Sequence, residues 1–354
     1  MRILIAASGS GGHLIPALLI AQAISKHAPE AQVEFIGSGR PLEEEILVKN
    51  GFVRHIIPAT GLMRGGVAGV LRFMGNLPAG VWRVWNLLSA FKPQVVVGVG
   101  GYVTFLPVTI AKLRGIPTWI HEPELKPGLA NRILARYAQR ISLGFRDAAL
   151  ASNPRAVFTG HPVRAEFAAA ARSARRVEKP SRIFVTGGSQ GADSLDCSML
   201  ELSSFLAERG IEVWHQCRAA NVEKLIAGYA ASGLRSRVAS FIPDTSCCYD
   251  WADLVIARSG VGTVNEIAVV NRPVIFVPYP FAQGNHQKAN AETLSREGKA
   301  LIVEEGAGFT ARLKAAVENL LQPQQYNEML LRPCSARVTD AAERIARGCL
   351  EMCR

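Results

Sequence analysis

Short apolar runs alternate along this chain with longer segments whose apolar positions recur at helical spacing. RILIAA at residues 2–7 is a continuous apolar run, as expected of a strand covered on both faces in a parallel sheet. Residues 13–26 follow as a helix, with Leu14, Ala17, Leu18, Ala21 and Ile24 on one face. Further strands are predicted at 33–36, 94–99, 118–121 and 140–143, and helices near 42–49, 105–114 and 128–137. That alternation predicts right-handed βαβ units around a parallel sheet.

The pattern breaks at 165–181, AEFAAAARSARRVEKPS, an Ala/Arg-rich stretch read as a helix or tether into a linker. It then restarts, with strands near Arg182, Ile211, Val238, Asp253 and Val274 and a terminal helix over 338–352. A chain of 354 residues is long for one core, so two domains of similar size are expected. The fold class is α/β with two Rossmann-like domains, residues 1–163 and 164–337. Residues 338–354 are expected to pack back on the first. Open sheets of this kind take ligands at the carboxyl ends of their strands, here in a cleft between the two domains.

Three glycine-rich turns follow predicted strands: SGSGGH at 8–13, GVGGY at 98–102 and GGSQGA at 187–192. Glycine lets ligand oxygens approach backbone N–H groups, and a helix start behind such a turn favours phosphate. The first turn is not a dinucleotide fingerprint, because Leu14 stands at its last glycine and Gly37-Ser38 where an acidic residue would end the second strand. None ends in the Gly-Lys-Ser/Thr of an ATP-binding loop. Singly each reads equally as a structural turn; together they point to phosphate-bearing ligands.

Net charge is +11 with pI about 9.6, which points to an acidic partner surface or to a solvated basic one. No nucleic-acid motif is present and aromatic residues do not interleave with basic ones, so nucleic acid is not expected as a partner. The seven cysteines lack zinc-type spacing and read as reduced packing thiols. No signal peptide and no apolar run of membrane-spanning length are found, so a cytoplasmic, soluble or peripheral protein is expected.

His13 closes the first turn at a helix start, where it reads either as a general base or as a packing or capping residue. Glu266 lies three residues after Thr263, the spacing of a capping box; the alternative is a carboxylate that accepts both hydroxyls of a ribose.

SGSGGHLIPA at 8–17, GVGGYVTFLP at 98–107, GHPVR at 160–164, GGSQGA at 187–192 and RSGVGTVNE with NHQKANA form an ordered set over about residues 1–303. That set resembles the MurG family, the bacterial GT-B glycosyltransferases of family 28 that add N-acetylglucosamine to lipid-linked muramyl-pentapeptide in peptidoglycan synthesis. The resemblance implies two Rossmann-like domains facing across a deep cleft. It implies transfer from UDP-N-acetylglucosamine to the C4 hydroxyl of undecaprenyl-pyrophosphate-linked N-acetylmuramyl-pentapeptide.

The resemblance also implies roles. His13 becomes the candidate base, and Ser10, Gly11, Gly12, Gly100, Gly101 and Tyr102 belong to the acceptor loops. Arg164, Gly188, Ser189 and Gln190 fall to the donor site, with Gly260, Val261, Gly262 and Thr263 as backbone contacts and Glu266 on the ribose. Two family glutamines near the sugar fall at His286 and Gln287, so His286 is a departure. The family's His-Glu-Gln-Asn signature reads His121-Glu122-Pro123-Glu124 here, and a carboxylate at Glu124 accepts hydrogen bonds but does not donate them.

Glycine-loop amides and a helix end can stabilise the departing UDP, and no cluster has metal-ligand spacing, so neither a metal nor another cofactor is expected. Residues 62–91 mix Leu71, Phe73, Met74, Leu77, Val81, Trp82, Trp85 and Leu88 with Arg64, Arg72 and Arg83. This suits an anionic membrane surface or, alternatively, a core helix with a wet face. The resemblance implies a peripheral protein on the cytoplasmic face of the inner membrane, with other cell-wall synthesis proteins as partners. Two other readings stay open: a related GT-B glycolipid synthase with another acceptor or UDP-sugar, and a non-catalytic sugar-nucleotide-binding relative.

Overall fold

The first apolar run forms a strand, β1 (Arg2–Ala6), with a parallel neighbour on each side. It is flanked by β2 (Gln32–Gly37) and β4 (Val95–Gly98), and outward lie β3 (Val53–Ile56), β5 (Thr118–Glu122), β6 (Arg140–Leu143) and β7 (Ala156–Phe158). The order β3-β2-β1-β4-β5-β6-β7 is parallel throughout. A second sheet is built from β8 (Arg182–Thr186), β9 (Glu212–Gln216), β10 (Arg235–Ala239), β11 (Leu254–Ala257), β12 (Val274–Phe276) and β13 (Ala300–Ile302). Its order is β10-β9-β8-β11-β12-β13, again parallel.

The computed structural model describes all residues except 10, 58–65, 172–176, 189 and 354, and the side chains of all described residues except 66–74 and 283. The chain divides into two compact units, Met1–Val163 with Asp340–Arg354, and Arg164–Thr339.

Pleating sends Ile3 and Ile5 to one face of the first sheet and Leu4 and Ala6 to the other. The first face is covered by Leu14, Ala17, Ile20 and Ile24 of the helix Gly11–His27, together with Ile345, Ala346 and Cys349 of the helix Ala341–Glu351. Lys26 and His27 both contact Glu343, which ties the two helices at the surface. A Cβ at Gly348 would run into the Trp119 ring, so the terminal helix sits directly on β5. The other face is covered by Val84, Leu88 and Val108. In the second unit Ile183, Val185, Leu254 and Ile256 pack against Leu195, Met199, Leu206 and Leu313.

Each sheet reverses its strand order once, between β1 and β4 and between β8 and β11. The glycine turns follow these very strands. SGSGGH and GVGGY flank the first switch point, and GGSQGA and RSGVG flank the second. Adjacent loops run to opposite faces there, which opens a crevice at the carboxyl edge.

Of residues 62–91, the helix Gly66–Phe91 is formed, and residues 62–65 (with Leu62 and Arg64) lie outside the described residues. Val84 and Leu88 are core, and Leu77 is half-buried. Val81 is exposed, and Trp82 and Trp85 are 65% and 49% exposed. Arg114 stacks 4.8 Å over Trp85. Among the described residues no helix is long and apolar enough to cross a membrane.

Candidate functional site

In the first unit His13 stands in the opening turn of the helix Gly11–His27, two residues inside it. Its imidazole is held by the neighbouring turn. Gly100 and Gly101 both have positive φ, +77° and +80°, and a Cβ at Gly100 would lie 2.6 Å from His13 Nδ1 and Cε1. At Gly101 a Cβ would meet Ser8 O at 3.2 Å. Only glycine lets the second turn close on the first here. His13 Nδ1 and Ser8 Oγ are buried and have no hydrogen-bond partner among the described residues. Ser10 lies outside the described residues; Gly11 and Gly12 are in the helix's first turn. Tyr102 is half-buried and opens a short 3-10 turn, Tyr102–Thr104.

Behind His13 lies a chain of buried polar groups. His121 Nε2 is 3.2 Å from His161 Nδ1, and the two rings stack. His121 Nδ1 is 3.0 Å from Ser142 Oγ, which accepts the Trp119 indole N–H at 2.9 Å. Burial pushes His13 down to about 4. Burial, with His13 nearby, takes His161 to about 3. Burial, then His161 and His13, hold His121 well below the ordinary imidazole value. All three are therefore neutral at physiological pH. Glu122 accepts the Glu124 backbone N–H at 2.9 Å and an Asn131 amide N–H at 3.0 Å, yet burial lifts its carboxyl to about 8. Glu124 is half-buried beside it.

In the second unit the GGSQGA turn is tied at its root. Thr186 Oγ1 accepts the Gly188 N–H at 3.1 Å and donates to Gln216 at 2.9 Å. Gly191, with φ +67°, lies against Arg218, where a Cβ would have no room. Arg218 is placed by its backbone N–H on Asp196 at 3.2 Å, and Asn221 donates to the same oxygen at 2.7 Å. His215 Nε2 stands 3.2 Å from the other Asp196 oxygen, and its Nδ1 is 2.8 Å from Tyr229 Oη. Burial works against ionising Asp196, but these donors outweigh it and hold the carboxyl below its ordinary value. Gln190 is exposed, and Ser189 lies outside the described residues.

Across the switch point Gly260 is the N-cap of the helix Val261–Val270, whose first turn carries no acidic residue. Open space surrounds Gly188, Gly260 and Gly262: a Cβ on any of them would meet nothing within 4 Å. Val261 turns its side chain inward, and Thr263 is half-buried. Beneath them Arg258 binds the Val277 and Pro278 carbonyls at 3.0 and 3.1 Å and Glu305 at 2.6 Å. It braces the turn and is spent as a cation.

The capping-box reading of Thr263 and Glu266 fails. Gly260 occupies the N-cap, no side chain caps the helix end, and both residues lie inside the helix. Glu266 instead sits half-buried with Tyr249 Oη 3.4 Å from its Oε2. Burial raises its carboxyl above the usual range, with Arg164 and Tyr249 pulling the other way. Arg164 itself reaches Thr245 at 3.4 Å and stacks 5.0 Å over Phe167. His286 and Gln287 open the helix His286–Arg296, and Gln287 accepts the Tyr279 backbone N–H at 3.0 Å.

The structure thus gathers His13, Gly100 and Gly101 in one unit, and Arg164 and Glu266 in the other. Sequence reasoning missed Tyr249, His161, Asn131, Arg258 with Glu305, and Asp196 with His215. His161 and Arg258 stand inside quoted motifs; the others are joined across 9 to 25 residues or more, beyond any local spacing. Among the described residues no group of three His, Cys, Asp or Glu is placed to hold a metal ion.

Two family models match the chain: the glycosyltransferase family 28 N-terminal domain over residues 3–143 and the family 28 C-terminal domain over 182–345. The chain is 36% identical over 356 aligned residues (99% of this chain, 97% of the relative) to a protein of Nitratidesulfovibrio vulgaris. That relative is named UDP-N-acetylglucosamine–N-acetylmuramyl-(pentapeptide) pyrophosphoryl-undecaprenol N-acetylglucosamine transferase. A Desulforudis audaxviator protein of the same name is 39% identical, with 89% of each chain covered. Among solved structures, Acinetobacter baumannii MurG superposes with a TM-score of 0.80 at 28% identity over 99% of both chains. A Neisseria meningitidis UDP-GlcNAc 2-epimerase shares the fold at 15% identity, TM-score 0.71, over 99% of this chain and 100% of its own.

Proposed function

We propose, for a chain that belongs to glycosyltransferase family 28, that it moves N-acetylglucosamine from UDP-N-acetylglucosamine to undecaprenyl-pyrophosphoryl-N-acetylmuramyl-pentapeptide. The observation that carries this is near end-to-end similarity, at 36% identity, to relatives named for that reaction. It is a hexosyl transfer in peptidoglycan synthesis.

The acceptor's C4 hydroxyl attacks the anomeric carbon as the bond to UDP breaks, and the electron pair leaves on the β-phosphate oxygen. His13 takes the hydroxyl proton. Its neutral state at physiological pH and its fixed ring support that role. Open space over Gly188, Gly260 and Gly262, with the start of the helix Val261–Val270 behind, suits the diphosphate. Glu266 holds the ribose hydroxyls, and Arg164, close enough to bias its charge, adds a cation to the donor site. His286 and Gln287, which open the helix His286–Arg296, are proposed to border the sugar. These groups supply base and charge stabilisation from the protein alone, so the reaction is proposed to need no metal. The exposed tryptophans Trp82 and Trp85, beside Arg83 and Arg114, are proposed to rest on an anionic cytoplasmic membrane face.

The test is transfer of labelled N-acetylglucosamine to a short-chain lipid-linked muramyl-pentapeptide, with UDP-glucose and UDP-galactose alongside and a chelator in parallel. Transfer confined to the N-acetylglucosamine donor and undiminished by chelator is expected. UDP binding without transfer would overturn the assignment.

A further inference from the structure

Tyr249 reaches Glu266 from a short helix. That helix, Ser246–Trp251, has six residues, too few to be stable by itself, so its neighbours decide where it lies. The Tyr249 ring is buried and set edge-on to Phe167 and to Phe184 of β8, with centroids 5.5 and 5.2 Å away. Close packing of that kind stops the ring from swinging. The 3.4 Å from its Oη to Glu266 Oε2 is then set by where the helix backbone stands.

One side chain grips the end of that helix. Arg272 lies between the helix Val261–Val270 and β12 and is 3% exposed. Its Nε–H is shared by the Tyr249 and Ala252 carbonyls at 3.0 and 2.9 Å, and an Nη2–H goes to the Asp250 carbonyl at 3.3 Å. A helix ends with carbonyls that no helical N–H reaches, and its dipole favours a cation there. A buried cation is costly without such acceptors, so the grip is mutual.

The base of Arg272 is fixed in turn. Asn271 ends the helix Val261–Val270 in the left-handed region, φ +57°, and its Oδ1 accepts a Lys299 Nζ–H at 2.6 Å. Lys299, itself 3% exposed, also donates to the Met329 and Leu330 carbonyls at 3.0 and 2.9 Å. The exit of the helix that carries Glu266 is thereby anchored, and from that anchor Arg272 holds the helix that carries Tyr249. At its start the same short helix meets Arg164, whose Nη2–H reaches Thr245 at 3.4 Å.

We infer that Arg272 is a positioning residue for ribose recognition: it fixes the helix Ser246–Trp251 and so aims the Tyr249 O–H at Glu266. Tyr249 engages Oε2 and turns the carboxylate, which sets the direction that Oε1 faces. Arg272 touches no substrate, and its effect on the ligand passes through Tyr249. The inference rests on the reading of Glu266 as the carboxylate that holds the ribose hydroxyls.

The experiment titrates UDP and 2′-deoxy-UDP calorimetrically into wild type, Arg272→Gln, Arg272→Lys, Tyr249→Phe and Arg272→Gln with Tyr249→Phe, with melting temperatures alongside. Arg272→Gln is expected to weaken UDP about 2- to 10-fold, the worth of one neutral hydrogen bond, and 2′-deoxy-UDP by less, so the preference for UDP narrows. Arg272→Lys, which keeps a cation near the carbonyls, recovers part of that preference and carries the same comparison should Arg272→Gln not fold. In the Tyr249→Phe background Arg272→Gln leaves the preference unchanged, because the two residues act on one path. A lower melting temperature with the preference for UDP kept shows a helix cap and overturns the inference. Equal narrowing with and without the Tyr249 hydroxyl also overturns it. A wild type that binds UDP and 2′-deoxy-UDP equally well overturns the ribose reading of Glu266 itself, and the inference with it.

Discussion

The imidazole of His13 lies against the backbone of Gly100, so closely that a Cβ on residue 100 would stand 2.6 Å from Nδ1. The second glycine turn is therefore the wall that fixes the ring. Gly100→Ala would have to move His13 and adopt φ +77°, a strain of about 1–3 kcal/mol. Turnover should fall at least about tenfold while UDP affinity stays constant, since a displaced base loses its geometry. Equal loss of UDP affinity would place the damage elsewhere.

His13→Ala should lower turnover by about 100- to 10,000-fold, the usual range for a general base, and leave donor binding intact. With its value lowered to about 4, the base is neutral above that pH. In wild type the acid limb from His13 should appear only as pH falls toward about 4, below the ordinary imidazole value of 6.5. A limb centred near 6.5 and absent in His13→Ala would contradict the burial described above.

Stability of the first unit should also depend on pH in two directions. His13, His121 and His161 have folded values below the unfolded 6.5, so the stability they allow is present above 6.5 and is lost as pH falls through the folded values. Glu122 has the opposite sign. Its value is raised from 4.5 to about 8, so its contribution is present below 4.5 and is lost as pH rises through about 8. Together the four groups give a maximum near about pH 7, with slopes of up to about 1.4 kcal/mol per pH unit for each proton. Denaturant melts from pH 5 to 8 should show the alkaline decline in wild type and not in Glu122→Gln, whatever that variant costs at its optimum.

Glu266→Ala should weaken UDP binding about 10- to 100-fold, as expected for a carboxylate that accepts two hydroxyl hydrogens. Tyr249→Phe should do so by less, because it removes only the 3.4 Å contact that orients Glu266. Calorimetric titration with UDP and with 2′-deoxy-UDP separates the two: the deoxy ligand should be insensitive to Glu266→Ala in proportion to the lost hydroxyl.

Replacing Trp82 and Trp85 with alanine should reduce sedimentation with anionic vesicles and leave kinetics on a soluble acceptor unchanged. Both side chains are largely exposed, while Val84 and Leu88 on the other face hold the helix in the core. A fall in melting temperature comparable to a core substitution would count against a surface role.

The sheets were legible because β1 and β8 are unbroken apolar runs, bonded on both sides and buried on both faces. The missed strands β3, β7 and β13 are three or four residues long and close the sheets at their edges. In β3, VRHI, polar residues interrupt the apolar ones, and the apolar runs of β7, AVF, and β13, ALI, are too short to mark a strand by periodicity. The glycine turns were legible individually; that each pair flanks a reversal in strand order requires the topology. The Thr263–Glu266 spacing misled because the helix begins earlier, at Val261, where no side-chain cap is required. Glu122, Asp196 and Arg258 were opaque because their partners are contributed by other elements. Burial, the largest influence on the titrating groups, has no local signature.

The helix Ala341–Glu351 belongs to the first unit, although all of the second unit precedes it in the chain. During synthesis the second unit is complete before Ile345, Ala346 and Cys349 exist to cover the inner face of β1. The first half must wait, with the Trp119 ring and the share of that face that the helix Gly11–His27 does not cover still exposed, while some 175 residues are made, an interval of about 10–35 s at typical elongation rates. The helix Ala341–Glu351 thus completes the first unit only after the second has been made, and chaperone binding to the nascent first half should end only when that helix emerges.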